Sequence, residues 1–499
     1  MATTLATPGV YIEEKSSFGT SVVPVQTAIP AFIGYTQKAV RGSKDLTNIP
    51  TKISSFGQFE ELFGGAPDTK FNIESDDSDV GFKLSFVEDT KYMLHSSMRL
   101  FFANGGADCY IVSVGPYGEK IDAAKLNDPK GGGLSALEKY MEPTIIVIPD
   151  AILLDENDCY SLQAQMLQHC GYKLKNRFAI LDVYEGTKER TFDDEDAVDK
   201  FRNGVGANFL MWGASYYPFL HTTIVSKSEI DFTRIANLDG LAEVLSKEVA
   251  SNLEADNITA ARAEGITAEI DKIAETTDPD AVNSLNSTLT VISPSLNLIL
   301  AEISEMLNIL PPSPAMAGAY AMVDAQANVA QSPANISLGS VIAPSVNINN
   351  DNQEELNLPL NGKAINAIRT FQGKGVLVWG ARTLDGNSKD YRYISLRRTM
   401  TFLEQSIKMA AEAFVFAPNN ATTWSTLRAT VSSFLTNQWQ SGLLAGQSAD
   451  DAFVVEIGLG ATMTPNDILD GILKMTVKVA ITRPAEFIVI TFEQQQQKS

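Results

Sequence analysis

Two continuous apolar runs, separated by one amphipathic segment, constrain the fold of this chain more than any other feature. Residues 144–148 read TIIVI and residues 178–183 read FAILDV, while residues 156–170 carry apolar side chains at helical spacing. Strands that are apolar on both faces are typical of parallel sheets covered by helices. A strand, a helix and a second strand in one sheet form a right-handed crossover. The chain is therefore predicted to have an α/β (mixed α+β) fold built around a parallel βαβ unit.

Length and charge restrict the class of protein. The chain has 499 residues, which suggests roughly three domains. Lys and Arg number 39 against 60 Asp and Glu, a formal net charge of -21. Because binding to nucleic acid or to an anionic membrane needs clustered positive charge, we expect neither as a partner. The three cysteines include no CxxC pair, which excludes a disulfide scaffold.

No targeting segment is visible in the sequence. The first residues, MATTLATPGV, lack the basic region and the apolar stretch of a secretory signal. No apolar run reaches the roughly 18 residues that a membrane-spanning helix needs. We therefore expect synthesis and folding in the cytoplasm, with any exit by another route.

Charge and periodicity divide the chain further. Residues 361–499 carry 14 Lys and Arg against 11 Asp and Glu, a net charge of +3, which leaves -24 for residues 1–360. The C-terminal part is therefore predicted to be a separate unit. Residues 237–310 are predicted to be helical, with Ser293 as an N-cap before a proline. The remaining predicted elements are a strand over 28–35, a strand over 375–379, helices over 395–416 and up to Gly442, and strands over 453–457, 472–482 and 486–492.

Two carboxylates give the strongest argument for an enzyme. Asp150 and Asp182 each follow an apolar strand, so both could lie at the carboxyl edge of one parallel sheet, where α/β enzymes bind Mg²⁺ and substrate. An Asp after a strand also commonly caps the next turn or helix. The neighbouring loops supply no Lys, Arg or His to complete a site, and the sequence has no phosphate-binding loop or nucleophile elbow. A metal-dependent α/β enzyme is therefore an alternative, and no catalytic residue, metal or cofactor is predicted.

The two ends of the chain carry the most specific motifs. Residues 8–14 read PGVYIEE and residues 483–492 read RPAEFIVITF. Together they resemble the contractile tail sheath protein family of phages, R-type bacteriocins and related contractile injection systems. Further similar segments follow in the family's order: WGASYYPFL at 212–220, PPSPAMAGAYAMVD at 311–324, SPAN at 332–335, SLRRT at 395–399, FAPNN and TW within 416–424, FLTNQWQSGLLAG at 434–446 and TPNDILDGIL at 464–473. Within FAPNN, Ala417 departs from the family, which often has an acidic residue at this position.

The resemblance implies a mechanical function. Subunits of the family polymerise as stacked rings, commonly hexameric, around an inner tube and contract to drive that tube through a target cell envelope. The implied partners are further copies of this chain, the inner tube protein, and the baseplate and terminal cap proteins. The implied location is a phage tail or tail-like particle that is made in the bacterial cytoplasm and stays there or is released. No enzyme activity is implied, and a static filament or capsid protein is a second alternative.

The resemblance also divides the chain into segments. The acidic part would form the outer wall, and the near-neutral C-terminal unit would face the tube. The expected segments are an N-terminal arm with the first core strand (1–40), an outward-facing insertion (41–139), an α/β sheath domain (140–236), a helical insertion (237–310), a linker region returning to the core (311–360) and a C-terminal inner domain ending in an arm (361–499).

Both ends of the chain are predicted to pair with neighbouring subunits. The C-terminal run FIVITF is apolar on both faces, and the N-terminal arm has no local strand to pair with. Each end would therefore be an unprotected strand edge in an isolated subunit, and strand addition to a neighbour removes that edge. The residues predicted to exchange are Val10, Tyr11, Ile12, Glu13, Phe487, Ile488, Val489 and Ile490.

The helix predicted over 395–416 is the candidate for contact with the inner tube. Its apolar stripe is predicted to face inward, which leaves cationic side chains on another face. In the family a helix of this domain touches the tube, so the resemblance predicts tube contacts by Arg397, Arg398 and Lys408. The alternative is that these cations are solvated or pair with acidic residues along the same helix, at Glu404 and Glu412.

Overall fold

The computed structural model describes residues 22–76 and 81–489. Its strands are β1 (Pro30–Thr36), β2 (Val40–Arg41), β3 (Lys44–Asp45), β4 (Thr51–Ile53), β5 (Phe71–Ser75), β6 (Phe82–Phe86), β7 (Cys109–Pro116), β8 (Ile145–Val147), β9 (Phe178–Asp182), β10 (Gly213–Tyr217), β11 (Leu220–Thr222), β12 (Ile309–Leu310), β13 (Ile336–Ser337), β14 (Val341–Pro344), β15 (Asn366–Phe371), β16 (Gly375–Val378), β17 (Phe453–Ile457) and β18 (Met475–Val479). Its α-helices are α1 (Phe56–Phe63), α2 (Leu94–Ala103), α3 (Ala123–Leu126), α4 (Glu156–Gln168), α5 (Ala197–Gly204), α6 (Leu238–Glu254), α7 (Ala260–Ile270), α8 (Pro279–Ile292), α9 (Pro294–Asn308), α10 (Ser313–Gln326), α11 (Asn350–Asn357), α12 (Ile394–Glu412), α13 (Ala421–Gln440), α14 (Ala449–Ala452) and α15 (Pro465–Leu469).

A nine-stranded sheet organises most of the chain. Its strand order is β13-β16-β15-β10-β9-β8-β1-β7-β4. The strands from β15 to β7 are parallel to their neighbours, and antiparallel strands close both edges. Successive residues of a strand point to opposite faces. Accordingly, Ala31 and Ile33 of β1 belong to one buried apolar cluster and Phe32 belongs to a second, so both faces of the sheet are covered.

The predicted parallel crossover is confirmed, and with it the mixed α/β fold. β8 and β9 pair in parallel, with Ile145 opposite Phe178, and α4 lies between them in the sequence. Every residue of both strands is buried. Their continuous apolar sequence is therefore the consequence of burial on both faces of the sheet.

The segment 41–139, which the resemblance assigns to an outward-facing insertion, contributes strands to this sheet. β7 pairs in parallel with β1, and β4 pairs antiparallel with β7. Seven of the eight residues of β7 are buried. The sequence CYIVSV at the start of β7 is nearly continuous in apolar side chains, which gives the physical reason for its place inside the sheet.

The helical prediction for residues 237–310 is confirmed. Helices α6 to α9 pack with the β5–β6 hairpin around a third buried apolar cluster. Ser293 caps α9 as predicted, because its hydroxyl accepts a hydrogen bond from the main-chain nitrogen of Leu296 at 3.1 Å. None of the described helices has the combination of length and hydropathy that a membrane-spanning segment needs.

The chain forms two compact units, and the boundary between them falls within α12. The larger unit contains residues 26–398 and 483–489 of the described chain, and the smaller unit contains residues 22–25 and 399–482. β15 and β16, which follow residue 361, belong to the nine-stranded sheet of the larger unit. This division lies further along the chain than the one expected from charge, because charge composition does not report which strands pair.

The smaller unit combines helices with one antiparallel pair of strands in its described part. β17 and β18 pair antiparallel, with Val455 opposite Val477. The sequence of α13 carries apolar residues at helical spacing, and Leu427, Val431 and Leu435 of this stripe are buried. The amphipathic pattern was therefore sufficient to identify the buried face of this helix.

Candidate assembly surfaces

The last described residues of the chain form an exposed apolar arm. Residues 483–489 form no strand, so the strand predicted over 486–492 is absent from the part of it that the structure describes. Phe487, Ile488 and Val489 are 68%, 80% and 89% exposed. Such a run presents unpaired main-chain groups, as strand exchange requires, and exchange itself stays a prediction. The other residues predicted to exchange lie outside the described part of the chain: Val10, Tyr11, Ile12, Glu13 and Ile490.

Glu486 attaches the root of this arm to the larger unit. Its carboxylate accepts two hydrogen bonds from the Arg382 guanidinium, from Nε at 2.9 Å and from Nη2 at 2.7 Å. Asn357 Nδ2 and Tyr393 Oη each donate a further hydrogen bond at 3.0 Å. The side chain of Arg382 is 1% exposed and that of Glu486 is 21% exposed. The pair is therefore bidentate and largely shielded from water.

Arg382 is in turn held by the central sheet. Its main-chain nitrogen donates to Asn366 Oδ1 at 2.7 Å. Asn366 Nδ2 donates to the main-chain oxygens of Arg382 at 2.8 Å and of Ser215 at 3.1 Å. Asn366 begins β15 and Ser215 lies in β10, and these two strands pair in parallel. The arm root is thus connected to two neighbouring strands of the nine-stranded sheet.

The partners of Glu486 keep it charged. Burial alone would raise the pKa of Glu486, but the hydrogen bonds from Arg382, Asn357 and Tyr393 and the positive charge of Arg382 hold that pKa below its ordinary value. Sequence analysis missed this role, because Glu486 and Arg382 are 104 residues apart and no local pattern links them. The sequence feature that could have indicated this role is a single acidic residue, Glu486, directly before the apolar run 487–489.

Thr27 is attached in a similar way where the N-terminal segment enters the larger unit. Its main-chain oxygen accepts hydrogen bonds from Arg398 Nη2 at 3.1 Å and from Thr144 Oγ1 at 2.8 Å. Its hydroxyl donates to Asp324 Oδ2 at 2.5 Å. Arg398 also binds both oxygens of Asp324, at 3.0 and 2.5 Å, and the two side chains are 4% and 6% exposed. A buried arginine–carboxylate pair therefore lies at this root as well.

The structure corrects the orientation predicted for Arg398. The helical pattern places this residue on an outer face of α12, whereas its guanidinium is buried against Asp324 of α10 and lies 4.7 Å from the centre of the Tyr320 ring. Periodicity identifies which residues share a face, but a neighbouring helix decides how many faces are covered.

Arg397 is buried too, and Lys408 is the exposed member of the predicted tube-contact set. The Arg397 guanidinium lies 4.3 Å from the Trp212 ring centre and 4.8 Å from that of Tyr391. Its position between two aromatic rings is a packing role within the larger unit. Lys408 projects from the part of α12 that belongs to the smaller unit. Tube contact stays a prediction, and accessibility now favours Lys408.

The smaller unit also exposes apolar side chains that periodicity did not reveal. Met409 and Val415 are more than half exposed, and Phe416 is fully exposed. Phe416 has a φ of 67° in the turn that follows α12, which directs the chain away from the helical path. The sequence placed this residue at the end of a helix and at the start of the FAPNN segment, without indicating that its side chain is exposed. Met409 lies in the last turns of α12 and Val415 and Phe416 follow the helix, so three exposed apolar side chains occur close together in the sequence. Grouped exposed apolar side chains are typical of a surface that a partner covers.

Asp150 and Asp182 serve separate structural purposes. Asp150 accepts hydrogen bonds from the main-chain nitrogens of Tyr35 at 2.9 Å and Met93 at 2.7 Å, and Asp182 accepts from Ser313 N at 2.8 Å and Oγ at 2.5 Å. Burial raises the pKa of Asp150 to about 6 and that of Asp182 to about 7. Because Met93 and Ser313 lie at the starts of α2 and α10, each Asp caps a helix. Among the described residues no group of three or more His, Cys, Asp or Glu side chains could hold a metal ion, so the structure favours capping over the shared metal site.

The C-terminal part of the chain matches a known sequence family. The family is described as "Phage tail sheath C-terminal domain", and the match covers residues 387–495. No curated protein sequence matches the chain.

Solved structures of contractile particles are similar to the chain over its whole length. The sheath complex of an extracellular contractile injection system, PVC, in the contracted state is 27% identical, with 99% of each chain covered and a TM-score of 0.59. The helical sheath of the anti-feeding prophage (AFP) in the contracted state is 26% identical, with 99% of this chain and 100% of that chain covered and a TM-score of 0.60. A chain of the six-fold symmetrised AFP baseplate is 27% identical, with 99% and 100% covered and a TM-score of 0.58.

Proposed function

Because this chain belongs to the contractile tail sheath protein family, we propose that it is the structural subunit of a contractile sheath. The subunit polymerises as stacked rings around an inner tube and contracts to drive that tube through a target cell envelope. The observation that carries this function is the similarity of 26–27% identity, over 99% of the chain, to the sheath of an extracellular contractile injection system and to the helical sheath of the anti-feeding prophage. We propose a mechanical role without catalysis and without a cofactor.

Strand exchange is the proposed link between subunits. The exposed run 487–489 offers main-chain donors and acceptors to a neighbouring sheet, and residues 10–13 are proposed to do the same from the other end. β17 and β18 form a two-stranded antiparallel sheet within the described chain. A two-stranded sheet has an outer edge on each strand, and such an edge is where a strand from a neighbouring subunit can add.

The partners follow from the same proposal. Similar chains occur in a helical sheath and in a six-fold symmetrised baseplate, which supports self-assembly and association with a baseplate. We further propose that the subunits form hexameric rings and that they bind an inner tube protein and terminal cap proteins. We propose synthesis in the bacterial cytoplasm, in a phage tail or tail-like particle that stays there or is released.

Lys408 is the proposed tube contact, together with the exposed apolar residues of the same unit. Individual contacts with the tube must be weak, because contraction has to break them, and exposed charge pairs contribute about 0.2–1 kcal/mol each. Lys408→Glu should therefore reduce assembly on tubes while the subunit stays folded. The same change at Lys389, an exposed lysine of the larger unit, is the control and should have no effect. Equal losses from both variants would contradict a specific contact at Lys408.

Electron microscopy of the protein purified with its tube and baseplate tests the contractile function. A sheath should give particles of two lengths in one preparation, with the shorter particles wider. A static filament or capsid protein, the remaining alternative, would give one diameter and no such pair of states.

Deleting residues 1–15 tests strand exchange. The variant should be folded and monomeric but unable to polymerise, since the arm contributes intermolecular hydrogen bonds and little to the core. Sheaths of normal length assembled from this variant would refute strand exchange by the N-terminal arm.

A further inference from the structure

An exchanged arm transmits force between subunits only if the residue at its base stays attached to the larger unit of its own subunit. We call that residue the root of the arm. The exposed run 487–489 begins directly after Glu486, with no spacer between the attached residue and the free ones. Tension applied to the run would therefore reach the Glu486 side chain first. Before it, Arg483 Nη1 donates one hydrogen bond to the main-chain oxygen of Lys389 at 2.9 Å, from an exposed position.

The construction of the Glu486 attachment suits sustained tension. Its carboxylate has four donors, two of them from a guanidinium in bidentate geometry. Charge-assisted, bidentate hydrogen bonds are stronger than neutral ones, and a low local dielectric strengthens them further. An exposed ion pair would instead exchange readily with water. Arg382 is protected from this exchange with water, because only 1% of its side chain is exposed.

The attachment also leads into the most extensively paired part of the fold. Arg382 is bound through its main chain to Asn366, and Asn366 bridges to Ser215 in the adjacent strand. Force on the arm is thus passed to β15 and β10, which lie inside the nine-stranded sheet rather than at its edge. Strands in that position are held by hydrogen bonds on both sides.

We propose that the Glu486–Arg382 pair is the anchor through which tension on the C-terminal arm enters the subunit during contraction. This role as an anchor rests on the strand exchange that is part of the proposed function. The N-terminal root supports it independently, because Thr27 is held by a second buried arginine–carboxylate pair, Arg398 with Asp324. An arginine–carboxylate pair with a buried guanidinium therefore lies at each place where a terminal segment meets the larger unit.

Chymotrypsin digestion of the free full-length subunit tests whether Glu486 holds the root. Cleavage after Phe487 requires several flanking residues to detach and enter the protease, whereas cleavage after the fully exposed Phe416 provides an internal reference. Glu486→Gln should raise the ratio of the two cleavage rates at least about tenfold, as expected for loss of a charge-assisted pair. Arg483→Ala, the matched control, should leave the ratio within about twofold.

A milder variant covers the case in which Glu486→Gln does not fold. Tyr393→Phe removes one donor to the carboxylate and keeps both charges, and it should raise the cleavage ratio about threefold or more. An unchanged ratio in every folded variant at these positions, or an equal rise in Arg483→Ala, would overturn the assignment of the anchor.

Assembly with tube and baseplate then tests the role under tension. Glu486→Gln keeps the exchanging residues, so it should form extended sheaths, but after contraction is triggered with urea a majority should be broken, against few for Arg483→Ala. Intact contracted sheaths from Glu486→Gln would refute the anchor. A chain that ends at residue 486 separates the two ideas: if it assembles normally, strand exchange by this arm fails, whereas intact Glu486→Gln sheaths beside a non-assembling truncation reject the anchor alone.

Discussion

Replacing Arg398 by methionine should destabilise the free subunit rather than loosen its grip on a tube. Methionine keeps most of the side-chain volume but leaves the 6% exposed Asp324 carboxylate without its counterion. Removing one partner of a buried ion pair typically costs about 3–5 kcal/mol. It would also remove one of the two donors to the main-chain oxygen of Thr27, leaving the Thr144 hydroxyl.

The expected change in melting temperature follows from the size of the larger unit. At about 2.1 cal/mol/K per residue, the roughly 370 residues from 26 to 398 have an entropy of unfolding near 0.8 kcal/mol/K. A loss of about 3–5 kcal/mol therefore lowers the melting temperature by about 4–6 °C. Thermal unfolding of the purified subunit, followed by circular dichroism, measures this shift.

A double-mutant cycle isolates the pair. Asp324→Asn should be destabilising by itself, and the double variant with Arg398→Met should lose less than the sum of the two, with a coupling of about 0.5–3 kcal/mol. Lys408→Glu is the surface control and should change stability by no more than about 0.5 kcal/mol. The reasoning is refuted if Arg398→Met melts within about 1 °C of the parent yet fails to assemble on tubes, because Arg398 would then act at a partner.

Three further perturbations test other parts of the structure by thermal or chemical unfolding. Leu289 lies in the buried apolar cluster of helices α6 to α9, so Leu289→Ala should lower the free energy of unfolding by about 2–5 kcal/mol. An unchanged melting curve would contradict the packing of these helices. Gly318→Ala should cost about 1–3 kcal/mol, because the added carbon would lie 2.5 Å from the main-chain oxygen of Phe101; a neutral effect would show that α10 and α2 are not in close contact. The ionised form of Glu355 is favoured in the folded state, since two buried arginines outweigh the opposing effect of burial and lower its pKa. Its stabilising contribution is therefore complete above pH 4.5 and is lost as pH falls through the lowered pKa, and Glu355→Gln should remove that part of the acid dependence.

Short-range patterns were enough to predict the elements themselves. The apolar runs of β8 and β9, the stripe of α13 and the Ser293 cap all depend on residues within a few positions of one another. Burial on one face or on both faces leaves a periodic signature in such a window, whatever the rest of the chain does. The ends of the chain were informative for the same reason, since an apolar run with no nearby strand is visible without a structure.

The tertiary structure alone decided which distant groups meet. Glu486 joins Arg382 across 104 residues, and Arg398 joins Asp324 across 74, and neither pairing leaves a trace in local spacing. For the same reason, Arg398 looked like a surface cation, β7 was assigned to an outward-facing insertion, and Asp150 and Asp182 looked like candidates for one site. A side chain's periodicity specifies its neighbours on one element, but its burial, its charge partner and its chemical role depend on what the rest of the fold places against it.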